Sequence, residues 1–568
     1  MRRAARAKNR PERWTTCGSV SLRWQTNQKP GTNTDAIPVR RGFLPKEQRE
    51  GIVYLTQGLH RSLRQSPNAP ATIFGKRVRT FAEQADRVAR LAGALRELGV
   101  VDGERVGILS HNSDRYLEAL LAVPWANGVL NPVNFRWSAA EIGYSLTESE
   151  TGILLVDDTF APMVAALRQE YEGLRAVVHM GDGPPPLEGA LGFEDLIAAT
   201  APLTDSVRGG AALAGLFYTG GTTGFPKGVM LSHANILISA LGSQATCPFV
   251  VPHGRALHVA PMFHLADLAI WVAHSMVGGA HVVLPAFDPP TVMAAIDEHS
   301  VTNVVLVPSM IQMLVDHPQL AQYDLSSVRA IVYGAEPITE VLLKRAMHAF
   351  PQADFVQCYG MTELAPVATM LSGKEHREGS RLRSAGRAVA HAEVRVVDKE
   401  DNEVPRGTVG EVVVRGGHVM LGYWKKPEAT AKALRDGWMH TGDGGYMDDE
   451  GYLFIADRIK DMIISGGENV YAAEVENAVT KHPAVAACAV IGVPDDRWGE
   501  RVHAVVVLKP GAQTPTDEEI REHSKGLIAG YKSPRSVEFV DALPVSGTGK
   551  IDKRKLSAPY WPDSDRAH

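Results

Sequence analysis

Apolar positions in the first strongly patterned stretch recur at helical spacing. Phe81, Ala85, Val88, Leu91, Ala92 and Leu95 fall on one face of an amphipathic helix over 80–98, closed by Gly99. Short unbroken apolar runs follow at 106–109, 152–156, 281–284, 303–307 and 330–333, and these read as buried strands. Helical patterns at 161–171, 291–299 and 309–315 lie between them. Strands alternating with helices predict βαβ units, and so an α/β fold with largely parallel sheets. Ligands of such sheets bind at the carboxyl ends of the strands. After about residue 384 the texture changes, and runs at 393–397, 410–415 and 451–455 alternate with turns as a β region would. Beyond the charged run Asp457-Arg-Ile-Lys-Asp461 a smaller α/β pattern appears. It has a helix over 473–481, strands over 486–490 and 503–508, and a helix after Thr516. The spacing Thr516-x-x-Glu519 is that of a capping box. The pattern predicts a large domain over 51–459 with parallel-rich sheets, helices and a β region. A small C-terminal α/β domain follows over 460–558, with a tail at 559–568.

Residues 1–50 carry twelve Lys and Arg against four Asp and Glu, with few aliphatic residues, and are expected to be a disordered basic extension. No apolar signal-peptide core is found there. At 568 residues and 45% hydrophobic content the chain can bury a large core. A net charge of −5 gives no global reason to expect a nucleic-acid partner. The four cysteines, Cys17, Cys247, Cys358 and Cys488, are far apart and form no C-x-x-C pair. That argues against a disulfide framework or a zinc site and suits a reducing, cytoplasmic location. No apolar run approaches the roughly 18 residues that a membrane-spanning helix needs.

The chemistry is concentrated in a few segments. Tyr218-Thr-Gly-Gly-Thr-Thr-Gly-Phe-Pro-Lys-Gly228 follows an apolar run, 211–217. Its glycines let backbone N–H groups approach a phosphate closely, while the threonines and Lys227 add donors to the same anion. The spacing is not that of a Walker A loop. Downstream come Pro261-Met-Phe-His-Leu265, Gly334-Ala-Glu-Pro337, Tyr359-Gly-Met-Thr-Glu363, His440-Thr-Gly-Asp443, Asp457-Arg458 and Pro544-Val-Ser-Gly-Thr-Gly-Lys-Ile551. In this order, across 53–558, the ensemble resembles the adenylate-forming superfamily of acyl-CoA synthetases, luciferases and peptide-synthetase adenylation domains. It is most like a medium- or long-chain fatty acyl-CoA synthetase.

The resemblance implies two half-reactions: a carboxylate attacks ATP to give an acyl adenylate and pyrophosphate, then the thiol of coenzyme A displaces AMP. It implies that Thr219, Gly220, Gly221, Thr222, Thr223 and Lys227 hold the ATP phosphates. Gly334, Ala335, Glu336, Pro337 and Tyr359 flank the adenine, and Asp443 and Arg458 contact the ribose and nucleotide. Thr362 reaches the α-phosphate and Glu363 supplies a carboxylate for Mg²⁺. Lys550 is implied as the mobile catalytic lysine, Lys460 as the hinge, and Gly466 and Gly467 as the border of the coenzyme A channel. His264, Gly360 and Met361 are expected at the acid-binding pocket, with His264 beside the reacting carboxylate.

Amino-acid-activating members carry an Asp where His264 stands, so an amino acid is not expected. Acetate-specific members carry Trp at the position of Gly360, so the acid should be larger than acetate. The segments 229–241, 265–272 and 334–338 should line the acyl pocket. Asp267, an acidic residue among them, is expected to cap the following helix or to face a polar substrate atom. Fatty, aryl and alicyclic acids all fit. The alternatives are a ligase that loads a carrier protein and an inactive nucleotide-binding regulator. The resemblance is also compatible with a homodimer.

Overall fold

The computed structural model describes residues 53–219, 226–336, 338–458, 462–465, 468–495, 497–545 and 551–561. The expectations placed on 1–50, Gly220, Gly221, Thr222, Thr223, Pro337, Lys460, Gly466, Gly467 and Lys550 lie outside those residues.

The described strands form four sheets. In the largest, Pro70–Phe74, Ala280–Val283, Arg255–His258, Asn303–Leu306, Ala330–Gly334 and Asp354–Gly360 run parallel side by side. Antiparallel strands close its edges, Arg77–Thr80 on one side, Val367–Leu371 and Arg387–Ala388 on the other. The second sheet also has a parallel centre, through Arg105–Leu109, Val129–Pro132, Ile153–Val156 and Ala176–His179. The antiparallel pair Leu213–Thr219 and Lys227–Ser232 extends it, and the short strand Gly422–Tyr423 completes that edge. The third sheet is antiparallel and built on Gly410–Gly416, Trp438–Met447 and Leu453–Arg458. The fourth, Ile463–Ser465, Glu468–Val470, Val485–Asp495, Gly499–Leu508 and Ser536–Phe539, packs its own apolar cluster around Val475, Val490, Val506 and Ile520.

Local sequence explains where the helices begin. Thr80 caps Phe81–Glu97 by accepting from the Glu83 N–H, while the Glu83 carboxylate accepts from the Thr80 N–H. Thr516 and Glu519 repeat this device at Asp517–Lys525. Each such cap is worth about 1 kcal/mol. One pattern resolves differently from the sequence reading. Tyr218, Thr219, Lys227 and Gly228 belong to strands, with Thr219 opposite Lys227 in the antiparallel ladder, so the phosphate-loop motif is shorter than its composition suggests. His440-Thr-Gly-Asp443 lies within the long strand Trp438–Met447, because its backbone pairs with Gly410–Gly416.

Several histidines are buried without charge. Burial pushes His233, His274 and His418 down to about 3. In the unfolded chain each titrates near 6.5, so the fold prefers their neutral form. The stability this represents is fully present above pH 6.5 and drains away as pH falls towards 3. At pH 5 each histidine should cost about 2 kcal/mol relative to neutral pH. Urea unfolding should therefore show a midpoint that falls between pH 7.5 and 5. A flat profile would contradict the assignment.

Candidate active site

The described site residues gather where the central parallel strands end. Gly334 closes one strand and Gly360 the next, with Gly334 opposite Cys358 in parallel register. The chain leaves the first strand through Ala335 in the left-handed region, at φ +68°. After the second strand it runs through Met361 and a single turn over Thr362–Leu364 to Ala365, at φ +57°. A left-handed non-glycine residue costs roughly 1–2 kcal/mol, and such strain collects at functional sites. Glu336 faces back and accepts from the Ser309 N–H at 3.1 Å.

Glu363 is 5% exposed. Its Oε1 accepts a 2.7 Å hydrogen bond from the Tyr423 hydroxyl. The Lys227 ammonium stands 5.1 Å from the centre of the same tyrosine ring. Tyr423 is placed there by the short strand Gly422–Tyr423, which pairs with Val229 and Met230 just after Lys227. The Met420 N–H donates to the Glu363 carbonyl and ties down the other side. Lys227, Tyr423 and Glu363 thus form one row. The phenol is held well above its usual range, first by burial and then by the Glu363 charge, so it stays a donor. Thr219 lies directly opposite Lys227.

The Tyr359 hydroxyl donates to Asp443 Oδ2 at 2.7 Å. Asp443 is steadied by the bond from its own N–H to Thr441 Oγ1, and its backbone pairs with that of Arg458. Two of the residues expected at the nucleoside are therefore in direct contact.

His264 occupies the N-cap position of the helix Leu265–Met276, with its ring 4.2 Å from that of Phe263. Asp267 is not the cap; one of its carboxylate oxygens is bonded to a histidine, and Oδ1 has no hydrogen-bond partner among the described residues. It lies in the first turn of the helix, 1% exposed, and its Oδ2 binds His258 Nδ1 at 2.7 Å. The chain continues from His258 Nε2 to His281 Nδ1 at 2.9 Å and from His281 Nε2 to Ser275 Oγ at 3.2 Å. A carboxylate this deep needs a partner, and the strand-end histidine supplies it.

Gly360 has a steric explanation of its own. A Cβ there would overlap the carbonyl oxygen of Pro366 on the returning strand. This close approach alone demands glycine, so the residue says less about acid size than the resemblance implies. Gly360→Ala should destabilise the protein by about 2 kcal/mol, in the range of other overpacking changes. Gly360→Trp should displace the strand pair before it reshapes any pocket. Urea unfolding of the two variants checks this, and wild-type stability in both would refute it.

Comparison with known proteins bears on the family and the fold. The sequence profile of the AMP-binding enzyme family matches residues 59–424, and that of the AMP-binding enzyme C-terminal domain matches residues 474–550. The chain belongs to the AMP-binding enzyme family. Its sequence is 41% identical over 503 residues to a feruloyl-CoA synthase from an Amycolatopsis species, covering 87% of this chain and 97% of that one. It is 37% identical to the fatty acid–[acyl-carrier-protein] ligase ScoC of Streptomyces coeruleorubidus, covering 88% and 95%. The fold is also similar to the crystal structure of the anthranilate CoA ligase AuaEII with anthranoyl-AMP. That comparison has a TM-score of 0.83 and 29% identity, and covers 89% and 96% of the two chains. Family membership makes this chain an ATP-dependent acid–thiol ligase. Sequence reasoning missed Tyr423, His258 and His281. Tyr423 sits in the unremarkable run Leu421-Gly-Tyr-Trp424, and only strand pairing brings it to Glu363.

Proposed function

We propose that the protein converts a carboxylic acid larger than acetate into its coenzyme A thioester through an acyl adenylate. In the first step a carboxylate oxygen attacks the α-phosphorus of ATP, and the bond to the β-phosphate oxygen breaks to release pyrophosphate. In the second, the thiol sulfur attacks the acyl carbon and AMP leaves with the bonding electrons. The row Lys227–Tyr423–Glu363 carries the proposal, because it puts a cation for the leaving phosphates and a buried hard oxygen donor side by side. Attack of one anion on another needs this neutralisation in a site that excludes water.

Glu363 is the residue that would hold Mg²⁺. A single buried carboxylate suits an ion that takes its other ligands from phosphate and water. When bound, the ion would neutralise charge on the phosphate oxygens. Thr219 and Lys227 orient the β- and γ-phosphates, Tyr423 fixes the Glu363 carboxylate, and Tyr359 holds Asp443 for the ribose hydroxyls. Lys550 would bridge the acid carboxylate and the α-phosphate as charge builds. The unit after 460 would then turn about Lys460, withdrawing Lys550 and presenting Gly466 and Gly467 to the thiol. Hinges of this kind absorb a large backbone change at a few boundary residues.

The cytoplasm is the proposed location, supported by free cysteines at 247, 358 and 488. Among the described residues no helix is long and apolar enough to cross a membrane. A carrier-protein thiol in place of coenzyme A is the second reading, favoured by the 37% identity to the carrier-protein ligase. ATP–pyrophosphate exchange across fatty, aryl and alicyclic acids tests the first step, and mass detection of coenzyme A thioesters tests the second. No exchange with any acid in the presence of Mg²⁺ would sink the proposal. Exchange without a coenzyme A thioester would favour the carrier.

A further inference from the structure

We propose that Glu148 is a positioning residue of the phosphate end of the site. It fixes the strand that carries Tyr423 against the 218–228 segment, and through that placement it sets the affinity for the β- and γ-phosphates. The inference rests on the role proposed above for the Lys227–Tyr423–Glu363 row and adds to it a residue that touches no substrate.

Glu148 comes from a part of the chain that carries none of the motifs. It lies in the last turn of the helix Ala139–Ser149, which the capping box of Ser138 and Glu141 begins. Its side chain is 10% exposed. A carboxylate held this far from water needs partners to replace its hydration. Three groups supply them. Oε2 accepts from the Tyr218 hydroxyl at 2.9 Å. Oε1 accepts from the Tyr144 hydroxyl at 3.2 Å and from the Lys426 ammonium at 2.9 Å. Tyr144 stands one turn earlier on the same helix, whereas Tyr218 and Lys426 are distant in sequence.

Those two distant partners flank the row. Tyr218 immediately precedes Thr219 and stands opposite Gly228 in the ladder, as Thr219 stands opposite Lys227. A Cβ on Gly228 would lie 3.0 Å from Tyr218 Cζ, so the phenol packs closely over its strand partner. Lys426 follows Tyr423 by three residues. Between them, the Trp424 N–H donates to the Gly228 carbonyl at 2.8 Å, and the Trp424 indole N–H donates to the Glu148 carbonyl at 2.9 Å. One glutamate therefore ties both sides of this corner, with its side chain on Tyr218 and Lys426 and its main chain on Trp424.

The protonation states suit the task. Burial, and then the Glu148 charge, hold the Tyr218 phenol well above its usual range, so it stays a donor. The hydrogen bond to Glu148 raises the Lys426 ammonium above its usual range, so it stays charged.

The strand Gly422–Tyr423 is two residues long and pairs with Met230 and Val229 alone. So short a ladder leaves its own placement weakly determined. The Tyr423 contacts to Glu363 and Lys227 both depend on that placement. Loosening Glu148 should therefore disturb the groups that meet the outer phosphates. AMP, which has no β- or γ-phosphate, should not sense the change.

Calorimetric titration with ATP and with AMP, each with Mg²⁺ and without acid, tests this. Glu148→Gln keeps the size and can still accept from Tyr218, but it loses the charge that holds Lys426. It should weaken ATP binding by about tenfold, the scale on which outer partners of a metal site act, and leave AMP binding unchanged. Glu148→Asp, which keeps the charge, should recover part of the loss. Lys426→Met and Tyr218→Phe each remove one tie. Both should show the same ATP-specific loss to a smaller degree, and they serve where Glu148→Gln does not fold. Equal weakening of both nucleotides would make Glu148 a structural residue only and overturn the inference. Unchanged ATP binding in every variant would overturn it too. Because no acid is present, the result stands apart from the activity. An ATP-specific loss in a protein without pyrophosphate exchange would count for Glu148 and against the ligase reading, whereas a wild type that binds neither nucleotide would remove both.

Discussion

Lys550→Ala should lower ATP–pyrophosphate exchange by on the order of 100-fold or more while leaving thioester formation from pre-made acyl adenylate largely unchanged. The split follows from where charge accumulates. In adenylation two anions are pressed together, and the new bond places negative charge on the α-phosphate and the departing β-phosphate. A mobile ammonium can follow that charge, whereas the thiol step moves the reacting centre to the acyl carbon. Val545 and Ile551 pair across an isolated bridge, and the Asp552 N–H donates to the Pro544 carbonyl at 2.8 Å. Stopped assays of each half-reaction give the two numbers separately. Equal losses in both steps would contradict a lysine that leaves between them.

Glu363→Gln should be nearly as severe. The substitution keeps the shape and the bond from Tyr423, but it removes the carboxylate charge that, under the proposed function, would hold Mg²⁺. Exchange should fall by about 100-fold at physiological Mg²⁺ and recover in part as the ion concentration is raised. Tyr423→Phe keeps the charge and loses a single bond to it, so a loss of about tenfold is expected, the usual scale for a hydrogen bond to an ionised group. Stripping Mg²⁺ with a chelator should abolish exchange in the wild type and in both variants. A Glu363→Gln enzyme with the wild-type Mg²⁺ dependence would remove Glu363 from the metal site.

Five of the parallel strands, those near 106, 153, 281, 303 and 330, were legible because they are buried on both faces. In Asn303–Leu306 and Ala330–Gly334 mostly apolar, buried side chains need no alternation. The helix at 81–97 was legible from the helical spacing of its apolar residues, and that at 517–525 from a cap written in four consecutive residues. The helix Asp114–Trp125 was not. Every residue in it is buried, including Asp114, Arg115 and Glu118, so no polar face marks its period. Its charges are tolerated because distant arginines meet them: Arg77 and Arg79 reach Asp114, and Arg79 and Arg87 reach Glu118. The capping reading of Asp267 misled for a similar reason. An acidic residue early in a helix reads as a capping group until the strand-end histidine appears beside it.

The sequence by itself determined the inventory of this protein and its order: the glycine- and threonine-rich segment at 218–228, the glutamate after Tyr359-Gly-Met-Thr, the aspartate of His440-Thr-Gly-Asp443 and the lysine at 550. Those follow from residue chemistry and short spacings, which the chain states locally. Tertiary structure alone decided that Lys227, Tyr423 and Glu363 form one row and that Tyr359 holds Asp443. Each of those contacts depends on which strand edges pair and in what register. That choice is settled by backbone hydrogen bonds and burial summed over the whole sheet, and no short stretch of sequence carries it.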